Sequence, residues 1–121
     1  MTNFCYIIIV NFNGHLDTLE CIKSLAASTV IDYKIIIVDN CSTDNSINII
    51  KGDIIKCNFG FKHYNSKHEL ISKNELNKNI TIIQCDHNGG YAFGVNVGIN
   101  FAINKNNCTY LWVLNNDTII L

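Results

Sequence analysis

The side chains of this chain best suited to chemistry are polar residues that follow runs of apolar ones. Tyr110-Leu-Trp-Val-Leu114 reads as a buried strand and runs into Asn115-Asn116-Asp117. A carboxylate at the carboxyl end of such a strand is where an open α/β sheet places ligand chemistry. Just ahead of it, Asn88-Gly-Gly-Tyr-Ala-Phe-Gly-Val-Asn-Val-Gly-Ile99 is a glycine-rich turn feeding an amphipathic segment, with Asn88 to Gly90 at the end of the preceding apolar run. Two earlier apolar runs end in the same way, one at Asn11 and Asn13, the other at Asp39 and Asn40. In a parallel sheet these four loops converge along one edge, where a nucleotide commonly lies in the crevice.

The elements that must position these residues follow from periodicity. Tyr6-Ile-Ile-Ile-Val10 leads to Asn11-Phe-Asn-Gly14, after which Leu16, Leu19, Ile22 and Leu25 recur at helical spacing through Ala27. Ile35-Ile-Ile-Val38 ends at Asp39-Asn40; Ser42 is then expected to cap a helix whose first turn holds Asp44, a charge that suits a helix amino terminus. Ile80-Thr-Ile-Ile83 precedes Phe93, Val97, Phe101 and Ala102, expected to form one helical face. Continuous apolar strands alternating with helices imply an α/β fold: a Rossmann-like open sheet of mainly parallel strands, with helices on both faces and right-handed crossovers. The pattern fails over residues 52–79, which read as an insertion. There Cys57–Tyr64 is expected as a short extended excursion and Asn65–Asn79 as an exposed loop or short helix.

Composition excludes several classes. At 121 residues, 48% hydrophobic and net charge −1, the chain reads as one compact domain. Its basic residues are all Lys, scattered singly, so no footprint for nucleic-acid binding exists. Six cysteines without a C-x-x-C pair read as reduced thiols, not as a disulfide framework or zinc ribbon. No run approaches the roughly 18 apolar residues of a membrane span, and the expected location is cytoplasmic, peripheral to a membrane in a longer protein.

Four blocks in order, Ile8-Ile-Val-Asn-Phe-Asn-Gly14, Ile37-Val-Asp-Asn-Cys-Ser-Thr-Asp44, Asn88 to Ile99 and Leu114-Asn-Asn-Asp-Thr118, together resemble the nucleotide-binding half of a GT-A glycosyltransferase of the family 2 type, particularly its rhamnosyltransferase-like members. The resemblance implies a nucleoside-diphosphate sugar as donor, dTDP- or UDP-linked with rhamnose a reasonable sugar, and inverting transfer to an acceptor hydroxyl. It implies that Asp39 accepts hydrogen bonds from the base or ribose and that Asn88 to Asn96 wraps them, with Asn88, Gly90, Tyr91 and Asn96 the donor contacts. It also implies that Asn115-Asn116-Asp117 stands in the place of the family's D-x-D motif, with Asp117 holding Mg²⁺ or Mn²⁺. Asn115 replaces the first Asp of that motif, so metal affinity is expected to depend on the bound nucleotide. The family's general base lies beyond this region, so the chain is expected to be a fragment that lacks the half recognising a glycan or lipid-linked acceptor. Such an enzyme would serve polysaccharide biosynthesis.

Other readings fare less well. A receiver domain needs an acidic pair where Asn11 and Asn13 stand, and a P-loop needs G-x-x-x-x-G-K-[ST], which is absent. A dinucleotide-binding unit carries its glycines after the first strand, not the third. The alternative that remains is a non-catalytic nucleotide-sugar-binding or interaction module.

Overall fold

A computed structural model describes residues 4–28 and 32–120. Nine elements follow in chain order: β1 (Phe4–Asn11), α1 (His15–Ala26), β2 (Tyr33–Asp39), α2 (Ser46–Lys56), β3 (Gly60–Tyr64), β4 (Leu70–Asn74), β5 (Asn79–Gln84), α3 (Tyr91–Ile103) and β6 (Cys108–Leu114). They build one six-stranded sheet in the order β4-β3-β5-β2-β1-β6. Only β4 runs antiparallel to its neighbour. The expected α/β architecture is therefore present, with the carboxyl ends of β1, β2, β5 and β6 on one edge.

The period-2 alternation of the strands splits their isoleucines between two cores. Ile7, Ile9, Ile35, Ile37, Ile80 and Ile82 pack under α1 and α2 against Leu19, Ile22, Leu25, Ile50 and Ile54. Ile8, Val10, Ile36, Val38 and Ile83 face the other way, towards Phe101 and Ala102 of α3. Complete burial of each such side chain favours the fold by about 1.5–3 kcal/mol, which is why unbroken Ile runs make central strands here.

Three local expectations are corrected. The face of α3 that meets the sheet is Gly94, Gly98, Phe101 and Ala102, while Phe93 and Val97 sit half-buried at its side. A Cβ on Gly98 would lie 2.7 Å from Ile8 Cγ2, so the helix rests on the sheet with no room between. Ser42 does not cap α2, which starts at Ser46, because the Ser42 hydroxyl and N–H are both taken by Asp39. Asp44 likewise lies ahead of the first turn of α2, where it accepts from the Ser46 N–H at 2.9 Å. Finally, β6 is not buried: it pairs with β1 alone, and Tyr110 is 71% exposed and Trp112 40%. A continuous apolar run signals a strand without saying whether it lies at the centre or the edge of its sheet.

Within residues 52–79, the first five complete α2 and the rest supplies two strands to the sheet. Gly60–Tyr64 is extended as expected, but Leu70–Asn74 is a strand instead of a loop or helix. The turn between them is held by Asn65, whose Oδ1 accepts from Lys67 N at 2.9 Å and Glu69 N at 3.0 Å.

Candidate active site

All four strand-end loops are tied to one another by the polar residues expected to bind ligand, the last of them through Asn116 Nδ2, which donates to Gly14 O at 3.4 Å, and Asn115 Oδ1, which accepts from the Tyr91 hydroxyl at 3.1 Å. Asn11 is fully buried: its Nδ2 donates to Asp39 Oδ1 at 2.9 Å and its Oδ1 accepts from Thr18 at 2.6 Å. Asn13 Oδ1 accepts from Thr43 N at 2.8 Å and Asp44 N at 3.2 Å, stapling the loop after β1 to the loop after β2. Asp39 is 1% exposed; besides Asn11 it accepts from Ser42 N at 2.9 Å and Ser42 Oγ at 2.7 Å. A carboxylate offers about four acceptor positions, and these three bonds leave one open, on Oδ2. Asn40 Nδ2 donates to Gly90 O at 2.8 Å, which fixes the turn before α3 against the end of β2.

Two cavities open along this edge. The larger, about 460 Å³, is lined by Val10, Phe12, Asn40, Asn88, Gly90, Tyr91 and Asn115 to Asp117. Gly90 there has φ +94°, a conformation that suits glycine, and it precedes the first turn of α3, whose N–H groups lack intrahelical acceptors. Asp117 is the one carboxylate in this lining and is exposed. Its charge reaches Cys21, whose thiol is pushed up to about 11 by burial first and by Asp117 second. The smaller cavity, about 160 Å³, is lined by Asp39, Ser42, Asp44, Asn45, Ile47, Asn48, His63 and Gln84.

The comparison with known families decides what this edge belongs to. The model of glycosyl transferase family 2 matches residues 6–121. The chain belongs to that family. No curated protein matches it significantly. Membership makes this family 2 chain a glycosyltransferase in the general sense, with no helix among the described residues long and apolar enough to cross a membrane.

Within this glycosyltransferase the expected site residues fall into three groups. Asn88, Gly90, Tyr91, Asn116 and Asp117 line the larger cavity together, and Asp39 lines the smaller. Asn11 and Asn13 line neither; their side chains hold the loops. Asn96 is exposed on α3 and also lines neither cavity. Sequence reasoning passed over Phe12, 45% exposed in the larger cavity, although an aromatic between two turn asparagines was visible. It also missed His63 and Gln84, since His63 lay in the stretch read as an insertion.

His63 gives this region a pH response. It is 4% exposed, and its Nε2 lies 2.9 Å from Gln84 Oε1. Burial, then the charge of Lys51, hold its pKa below the usual 6.5, against upward pulls from Gln84 and Asp39. The folded imidazole thus stays neutral where the unfolded one binds a proton. Stability is complete above the unfolded pKa and declines as pH falls through the folded one. Exposed Asp44, Glu75 and Asp86, whose pKa values are lowered from 3.8, 4.5 and 3.8, act in a separate, more acidic window. Melting temperatures from about pH 7 to about pH 5 are expected to fall in the wild type and to stay nearly level in His63→Leu. Parallel curves for the two proteins would refute the assignment.

Proposed function

We propose that the chain binds a nucleoside-diphosphate sugar across the two cavities, with the base beside Asp39 and the diphosphate beside Asp117, for inverting transfer to an acceptor hydroxyl. The observation that carries this reading is that consecutive residues, Asp39 and Asn40, line one cavity each. The cavities therefore flank the end of β2, an arrangement suited to a ligand with a ring at one end and an anionic group at the other. The open acceptor on Asp39 suits a ring N–H or a ribose hydroxyl. The first turn of α3 offers unpaired N–H groups and the positive end of its dipole to phosphate oxygens. With no Arg in the chain, no guanidinium fork competes for that task.

The larger cavity suits a divalent cation shared with the ligand. Asp117 supplies one hard carboxylate donor and Asn116 an amide oxygen, while Asn115 Oδ1 is engaged by the Tyr91 hydroxyl at 3.1 Å. Among the described residues no three His, Cys, Asp or Glu side chains gather to hold a metal unaided. Phosphate oxygens would then complete the shell. A bound Mg²⁺ or Mn²⁺ would stabilise charge developing on the departing diphosphate. The resemblance to rhamnosyltransferase-like members supports a dTDP- or UDP-linked donor, rhamnose the first sugar to try, and a glycan or lipid-linked acceptor.

Calorimetric titration with UDP, dTDP and GDP, with and without Mn²⁺, tests this reading. One pyrimidine nucleotide is expected to bind at least about ten-fold more tightly with metal, and Asp117→Asn to abolish that difference. Metal dependence that survives in Asp117→Asn would displace the cation from this residue; absence of any nucleotide binding would overturn the proposal.

A further inference from the structure

The smaller cavity carries more information than the presence of Asp39. Asn11, Asp39 and Gln84 stand at one level across β1, β2 and β5, since Asn11 pairs with Asp39 and Asp39 with Gln84. Residues in register share a face and lie about 5 Å apart, so the Asp39 carboxylate and the Gln84 amide stand side by side. His63 pairs with Ile82 on the neighbouring strand, one step diagonally from Gln84 on that same face. The row caps the α1–α2 core with polar groups two residues beyond Ile37 and Ile82, and Asp39 and His63 are 1% and 4% exposed.

Which way the Gln84 amide points follows from the imidazole. Two arrangements satisfy the 2.9 Å contact between His63 Nε2 and Gln84. In one, Nε2–H donates to Oε1 and Nδ1 is left with a bare lone pair. In the other, the amide NH₂ donates to Nε2 and a buried Nδ1–H is orphaned, because Nδ1 has no partner among the described residues. Buried N–H groups without acceptors are rarer and costlier than under-used acceptors. The first arrangement is therefore the stable one. It fixes Oε1 on His63 and turns the Gln84 NH₂ away, towards the cavity that Gln84 lines.

We propose that Gln84, oriented by His63, is a base-selecting residue: its NH₂ donates to a ring carbonyl beside the imide N–H that Asp39 accepts, so the site selects uracil or thymine. This rests on the nucleotide reading given above. An acceptor and a donor side by side match the N–H and C=O of a pyrimidine imide. Cytosine presents the reverse pair, a ring-nitrogen acceptor and an amine donor, and mismatches both. Guanine offers N–H and C=O too, but its adjacent amine needs a second acceptor, and Asp39 has one open. His63 acts through Gln84 and is a positioning residue.

The test is the ratio of dissociation constants for CDP and UDP, measured with Mn²⁺ in the wild type, Gln84→Glu and His63→Leu, with GDP as a further ligand. Gln84 is exposed, so Gln84→Glu should fold, and it replaces the NH₂ donor with an acceptor while keeping an oxygen for His63. The wild type is expected to favour UDP at least ten-fold over CDP and GDP, roughly the worth of one hydrogen bond lost against a buried partner. Gln84→Glu should collapse the CDP:UDP ratio, and His63→Leu should lower it by freeing the amide to flip. Loss of affinity for UDP and CDP in equal proportion, or a wild-type preference for GDP or CDP, would overturn the role of Gln84 while leaving the donor site standing. Failure of the wild type to bind any nucleotide would overturn both.

Discussion

Asp39→Ala is expected to destabilise the fold by about 3 kcal/mol, lowering the melting temperature by on the order of 10 °C for a domain of this size, in addition to any effect on ligand. The reason lies in what the carboxylate holds. It accepts from Asn11 Nδ2, Ser42 N and Ser42 Oγ, at 2.9, 2.9 and 2.7 Å. Truncation leaves the Ser42 N–H without its acceptor and Asn11 Nδ2 with only the 3.3 Å contact to Ser42 Oγ. Asn11 in turn accepts from Thr18 in α1, and Ser42 Oγ accepts from Asn13 N at 2.9 Å, so the loops after β1 and β2 loosen together. Urea unfolding with an unchanged m-value reads the effect. A midpoint shift worth less than about 1 kcal/mol would mean that Asp39 is free to serve ligand alone. The result also bears on any binding experiment: weak nucleotide binding by Asp39→Ala would not by itself establish a contact, whereas Gln84 makes no bond in this network.

Gly60→Ala is expected to cost about as much, through sterics instead of polarity. A Cβ there would lie 2.5 Å from Leu76 N, and nearer still to Asn74 O and the Asn79 side chain. Two of these obstacles are backbone atoms, and Asn79 cannot swing away freely because its Oδ1 accepts from Leu76 N at 2.9 Å. The turn from β4 to β5 must therefore back off β3, where Gly60 N donates to Lys78 O at 2.7 Å. Overpacking of this kind typically costs about 1–3 kcal/mol, and backbone obstacles place this case at the upper end. Gly52→Ala is the matched control. A Cβ there meets nothing within 4 Å, on the outside of α2, so the same substitution should stabilise by about 0.5–1 kcal/mol. Melting curves showing both variants shifted the same way would contradict this account.

The sequence made some of this plain and concealed the rest for identifiable reasons. β1, β2 and β5 announce themselves because central strands are apolar on both faces, as Ile35 to Val38 illustrates. β4 does not, because Leu70–Asn74 is largely exposed and makes its bonds on one side only, so no burial pattern marks it. The same indifference of pattern to position made the edge strand β6 look like a central one. Among site residues, a cluster of asparagines at strand ends is readable, yet the same side chain can serve a ligand or another loop. Asn13 proves to be engaged by Thr43 and Asp44, and Asn88 by Gly90, choices set by three-dimensional neighbours that no spacing encodes. His63 was hidden for a related reason: its meaning depends on a strand pairing of β3 with β5 across an intervening hairpin.

That pairing has a temporal side. β5 lies between β2 and β3, although β3 and β4 precede it in the chain. During synthesis from the amino terminus, β1, α1 and β2 have all their mutual partners as soon as residue 39 is out. The β3–β4 hairpin, by contrast, emerges with no strand to join, and the growing rim at β2 stays open until residues 79–84 arrive. The last ribbon of the central sheet to be made on that side is thus the one that joins its two halves, and with them Asp39 to His63.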